Sequence, residues 1–222
     1  MKKILKHFFY FLLAFGTLFW GSTRPTVIKK GAEKYCAVVT PVMQKAFSAT
    51  NMYSEPVKMR NKKDGVFRLV MANDAELQKQ IAVAKTQGLK ELNVDGKEFF
   101  IDYQLFFLMS WVFLLALLIA TPMSLKAKTW SLLGGSIIFL LYTLLRLYLM
   151  MLDFLSNQVD IGIYQYDEFW SSVIKNVAST QKLGFSILVV FVIWIAFAIK
   201  YTDIKKELEK FKELNFNAQQ AN

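Results

Sequence analysis

The feature that most restricts this chain is an apolar run over residues 104–152, broken only by a short hinge that contains Pro122, Lys126 and Lys128. A chain of 222 residues cannot bury so long a run in a water-soluble core. A membrane-crossing helix needs about 20 apolar residues to pass a hydrocarbon layer of about 30 Å. The run therefore reads as two spans joined by a tight turn, a transmembrane hairpin over 104–152. Residues 1–21 and 183–199 have the same character and read as a first and a fourth span. The expected architecture is a membrane protein with four transmembrane α-helices and a small exported α+β domain between the first and second spans.

The N-terminal segment combines Lys2, Lys3 and Lys6 with an apolar stretch from Phe8 to Gly21, as a secretory signal does. Cleavage near its end would place Phe19 or Trp20 where a small residue is required, so an uncleaved anchor is expected. Short basic segments lie at Lys2 to Lys6, at Lys126 and Lys128, and from Lys200 to Lys212. With four spans all three fall on one side, and the excess of Lys and Arg on short cytoplasmic segments assigns that side to the cytoplasm. Both termini are then cytoplasmic and residues 22–103 lie outside.

Within residues 22–103, Val27, Tyr35, Val38, Val42 and Phe47 recur at helical spacing and predict a helix over 26–49, with Pro25 and Pro41 as points of interruption. Two Asp-Gly pairs, Asp64-Gly65 and Asp95-Gly96, suit tight hairpin turns. They predict strands at 57–60 with 66–71, and at 92–94 with 99–103. Asn73 or Asp74 is placed to cap a helix that ends near Gln87 and Gly88.

Arg146 is the one charge well inside a predicted span, about 9 Å below an end set at Leu152. A charge at that depth needs a partner or a route to water. Tyr142 lies one turn before it and Asp153 two turns after it on nearly the same face. Two readings stand: Arg146 reaches the outer interface beside Asp153, or it contacts a partner helix or an anionic substrate. In the outer loop 153–182, Phe169, Trp170, Val173, Ile174 and Val177 form one stripe of an amphipathic helix that lies along the membrane interface. Asp160, Asp167 and Glu168 precede it as caps, and three acids fall short of the six or more oxygen ligands of a calcium site. The charged tail 200–222 extends the last span, with Tyr201, Ile204, Leu208 and Phe211 at a coiled-coil-like spacing.

The net charge of +10 is spread among interleaved acids, with no basic stripe for nucleic acid. His7 and Cys36 are the single members of their kinds and fall on opposite sides of the membrane in this topology. No nucleotide-binding glycine motif or zinc spacing is present. The residues thus point to a non-catalytic chain with no cofactor and no metal, whose partners are the lipid bilayer and an integral-membrane protein. The partner contacts expected are Arg146, Tyr142, Asp153, Phe169 and Trp170. The other reading is an envelope sensor or transport component whose exported domain binds a ligand and whose tail relays it.

Phe19-Trp20 closing the anchor, Asp102-Tyr103 leading into the next span, and Leu118-Ile-Ala-Thr-Pro122 closing it resemble exosortase-associated membrane proteins. The resemblance covers most of the chain as architecture. It implies a bacterial inner-membrane companion of a transpeptidase-like protein-sorting enzyme. The Cys, Arg and His of such an enzyme are not arrayed in this sequence, so the resemblance implies the accessory role alone.

Overall fold

The computed structural model describes residues 2–57, 65–87, 96–157, 164–180 and 183–201. Its helices are α1 (Lys2–Ser22), α2 (Pro25–Ala46), α3 (Asp74–Gln87), α4 (Met109–Ala120), α5 (Leu125–Ser156), α6 (Glu168–Thr180) and α7 (Leu183–Tyr201). A π-helical turn, Gln104–Leu108, leads directly into α4. The strands are β1 (Thr50–Pro56), β2 (Val66–Asn73) and β3 (Lys97–Asp102), antiparallel in the order β1-β2-β3.

The four-span architecture is overturned. Among the described residues one helix, α5, is long and apolar enough to cross a membrane. Its 32 residues extend ~48 Å, well beyond a ~30 Å hydrocarbon layer. The apolar helices Gln104–Ala120 and Gly184–Lys200 are shorter. The run over 104–152 does divide at Pro122, where residues 121–124 leave the helical path. Its arms are unequal, because the π-turn and the break shorten the first while the second continues past Leu152 to Ser156.

The chain separates into two compact units. One gathers Met1–Trp20, Ser110–Leu141 and Ser186–Asn222. It is held by aromatic edges: Phe113 meets Phe11, Phe15 and Phe191 in T-shaped contacts at 5.5 to 5.8 Å. Two indole N–H groups find hydroxyl partners inside the apolar packing. Trp194 donates to the Thr121 hydroxyl at 2.8 Å, and Trp111 donates to the Ser136 hydroxyl at 3.0 Å. An apolar cavity of about 600 Å³ is lined by Phe8, Phe11, Phe113, Leu117, Phe191 and Trp194, among others.

The other unit comprises Gly21–Met109 together with Tyr142–Phe185, so the α+β elements share a core with the second half of α5 and with α6. Pro25 stands at the start of α2, where its missing N–H costs nothing. The helix runs through Pro41 without a break. Its buried face is Ile28, Ala32, Tyr35, Val39 and Met43, not the expected Val27, Val38 and Val42, which are exposed. The two stripes lie about 100° apart on the helix, and the sheet under the first decides which is inside.

α2 ends at Ala46 rather than 49, and β1 starts at Thr50, ahead of the expected strand at 57–60, of which residues 58–60 lie outside the described residues. The Gln44 side chain runs along β1 as a short mock strand. Its amide donates to the Thr50 carbonyl at 2.6 Å and accepts from the Met52 N–H at 2.6 Å. β3 pairs with β2, from Val66 opposite Asp102 to Met71 opposite Lys97. The expected partner at 92–94, with Asp64 and Asp95 of the two turns, lies outside the described residues. Gly65 has φ +109°, so the first turn does use a backbone form that glycine permits. Asn73 caps α3 by accepting from the N–H groups of Ala75 and Glu76. On the central strand Arg68 bridges Glu55 of β1 and Glu98 of β3, which pins the register of all three strands on one face.

Candidate functional site

The candidate site forms where β3 ends. Asp102 closes the strand and accepts from the N–H groups of Gln104 and Leu105 at 3.0 and 3.2 Å, so its carboxylate caps the turn that follows. That turn is π-helical, each hydrogen bond spanning one residue more than in an α-helix. It presents Phe106 to α5. The Arg146 guanidinium lies over the Phe106 ring, 4.3 Å from the centroid, and donates from Nη1 to the Phe106 carbonyl at 3.4 Å.

Behind this contact, Tyr35, Tyr103 and Phe107 form a triangle with centroids 5.1 to 5.8 Å apart. Gly31 makes the triangle possible, because a Cβ there would lie 2.7 Å from the Tyr103 hydroxyl. Burial raises the pKa of the Tyr35 phenol, against the opposing influence of the Thr143 hydroxyl and the Arg146 charge. Burial also raises that of Tyr103. Both phenols therefore stay neutral and serve as packing groups across the physiological range.

Arg146, although only 6% exposed, lines a pocket of about 210 Å³ with Asp102, Phe99, Phe100, Leu105 and Met150, among others. The site thus holds one cation and one anion within an aromatic wall. This arrangement suits binding of a small charged group that carries apolar substituents.

The position of Arg146 along its helix differs from the sequence expectation. Because α5 continues to Ser156, Leu152 is not its end. Arg146 lies ten residues, ~15 Å, before the end of α5 rather than six residues before an end at Leu152. Tyr142 shares the site's part of α5, one turn before Arg146. Asp153 is engaged locally, accepting from the Asn157 side chain at its carboxylate (3.2 Å) and at its carbonyl (2.7 Å). Phe169 and Trp170 are on α6, in T-shaped contact at 5.5 Å and 67% and 54% exposed. From the same stripe Ile174 turns inward at 8% exposure. Asp167 caps α6, accepting from the Trp170 N–H at 2.8 Å. Asp160 and most of the tail 200–222 lie outside the described residues.

The sequence reading missed Asp102, Phe100 and Phe106 as neighbours of Arg146. The available signal was Asp102 itself, an acid at the exact start of an apolar run, which reads as a helix cap. A second pocket, of about 280 Å³, opens between α2 and the sheet beside Cys36, Ser54, Glu33, Glu55 and Lys29. Burial pushes the Cys36 thiol up to about 12, partly offset by its bond with Ser54. The described residues contain no group of three side chains able to hold a metal ion. Comparison with family models, with curated proteins and with solved structures finds no match to this chain.

Proposed function

We propose that the protein is a non-catalytic accessory subunit of the bacterial inner membrane that docks on an integral-membrane partner. The observation that supports this reading is the pair Phe169 and Trp170, which α6 holds outward in mutual contact while Ile174 anchors the helix to its own chain. Large aromatic side chains held rigidly at a surface are typical anchors of a protein interface. Arg146 is engaged with Phe106 of its own chain and is not part of that surface. The resemblance of Phe19-Trp20, Asp102-Tyr103 and the Leu118-to-Pro122 string to exosortase-associated proteins favours a protein-sorting enzyme as the partner.

Crosslinking in native membranes, then purification in mild detergent and identification of copurifying proteins, tests the proposal. A stoichiometric integral-membrane enzyme is expected, lost with Phe169→Ser/Trp170→Ser at unchanged expression. Recovery of the chain alone, folded and monodisperse, overturns the reading. The pocket beside Cys36 favours a second reading, a ligand-sensing domain, which that outcome would bring forward.

A further inference from the structure

We propose that the outer edge of β3 binds an extended peptide segment as an added strand, one that carries basic side chains two positions either side of an apolar one. The proposal is independent of the α6 surface. Tyr103 donates its backbone N–H to the Gly65 carbonyl at 3.1 Å, which sets the phase of the β2–β3 ladder. The backbone groups of Ile101, Phe99 and Lys97 then face β2, and those of Asp102, Phe100 and Glu98 face away. Among the described residues, no partner reaches the outward N–H and C=O groups of Glu98 and Phe100 or the outward N–H of Asp102. The opposite edge of the sheet is treated differently. On β1 the Gln44 amide occupies the Thr50 carbonyl and the Met52 N–H, and Pro56 has no N–H to offer. That edge is blocked at both ends by the chain itself, whereas β3 contains no proline.

The side chains of that edge define the segment that fits it. Glu98, Phe100 and Asp102 alternate onto one face of β3. Phe100 is 46% exposed. Arg68 answers Glu98 from β2 but also serves Glu55, so carboxylates outnumber the cation along this row. In an added strand the residues opposite Glu98 and Asp102 are most stable as Lys or Arg, and the residue opposite Phe100 as an aromatic or β-branched side chain. The order basic, apolar, basic reads the same in both strand directions, so it holds for parallel and antiparallel addition. The intervening residues point to the other face, where a pocket of about 210 Å³ walled by Phe99, Leu105 and Met150 lies beside the edge. Arg146 also lines that pocket, so these two positions suit uncharged apolar side chains. Backbone pairing supplies the affinity of such an addition, and pockets for alternate side chains supply its selectivity. A second copy of β3 fits less well, because the antiparallel register centred on Phe100 sets Glu98 opposite Asp102 twice.

The full chain in dodecylmaltoside is titrated against the fluorescein-labelled peptide Thr-Lys-Val-Phe-Val-Lys-Thr, with binding read as fluorescence anisotropy. Saturable binding at one site per chain is expected. Glu in place of both Lys residues of the peptide should weaken it about tenfold, the scale of two cross-strand charge pairs. Two N-methylated peptides test the backbone pairing with no change to the protein. One carries N-methyl groups on both Lys residues and the Phe, the other on both Val residues. A strand presents only alternate N–H groups to a given neighbour, so one of the two should lose binding and the other keep it. Phe100→Pro removes an outward N–H without touching the β2 ladder, and should abolish binding with little change in melting temperature. Phe100→Ala keeps that N–H and should weaken binding only several-fold. Equal binding of the two N-methylated peptides overturns the proposal, as does equal binding of the Lys and Glu peptides. Absence of saturable binding at millimolar peptide overturns it too. A native chain that runs as a dimer, and as a monomer once it carries Phe100→Pro, would assign the edge to a second copy instead.

Discussion

Replacing Gly31 by alanine sets two opposing effects against each other, and the structure decides which one wins. Gly31 lies inside α2, where alanine is favoured over glycine by about 1 kcal/mol. The added methyl group would meet the Tyr103 hydroxyl at 2.7 Å and two carbons of its ring at 2.9 and 3.0 Å. Tyr103 is buried and held between Tyr35 and Phe107, so its ring has no free direction in which to withdraw. Overpacking of this kind costs about 1–3 kcal/mol. The net expectation is a loss of about 1 kcal/mol, read by SDS-driven unfolding of the full chain in mixed micelles. The discriminating experiment repeats the substitution in a Tyr103→Leu background. With the ring gone, Gly31→Ala should change sign and stabilise by roughly 0.5–1 kcal/mol. If the cost is the same in both backgrounds, the close approach to Tyr103 is not its cause and the reasoning fails.

Three further expectations follow from the second unit. Gln44→Met should cost about 1–2 kcal/mol by freeing the Thr50 carbonyl and the Met52 N–H, and Gln44→Glu should cost more at neutral pH, with partial recovery on acidification seen in melting curves. With its pKa near 12, Cys36 should be alkylated by iodoacetamide at pH 8 on the order of 10²- to 10³-fold more slowly than an exposed thiol, and Ser54→Ala should not accelerate it. The folded-state pKa values of Tyr35 and Tyr103 lie above the unfolded value near 10, so their neutral forms support the fold fully below that pH and the support is lost as pH rises beyond it. Tyr35→Phe should therefore lose less stability than the native chain between about pH 10 and 12, measured as melting temperature against pH.

The local signals in the sequence were read well where one residue type has one use. Pro122 breaks the apolar run, Asn73 opens α3, Gly65 takes a positive φ, and Asp167 caps α6. Each of these is decided within a turn of chain, so no distant contact is needed to predict it. Prediction failed where two local solutions were equally good. The Val27 stripe and the Ile28 stripe of α2 are both apolar, and only the sheet packed against one of them selects it. β1 contains few apolar residues and draws two of its hydrogen bonds from a side chain, Gln44, which no strand pattern reveals.

For the candidate site the same division holds. Arg146 was conspicuous from composition alone, because a charge in an apolar run is costly wherever it ends up. Its neighbours were not, since Phe106 precedes it by forty positions and reaches it only through a π-turn that shifts the helical phase. Its distance from the helix end also depended on where α5 stops, a boundary that apolar sequence leaves open by several residues. The sequence by itself therefore determined that the chain contains a helix suited to a membrane and a charge that must be accommodated. Tertiary structure alone decided that this charge lies over the Phe106 ring and lines one pocket with Asp102, because burial and contact are properties of surfaces brought together and not of any single segment.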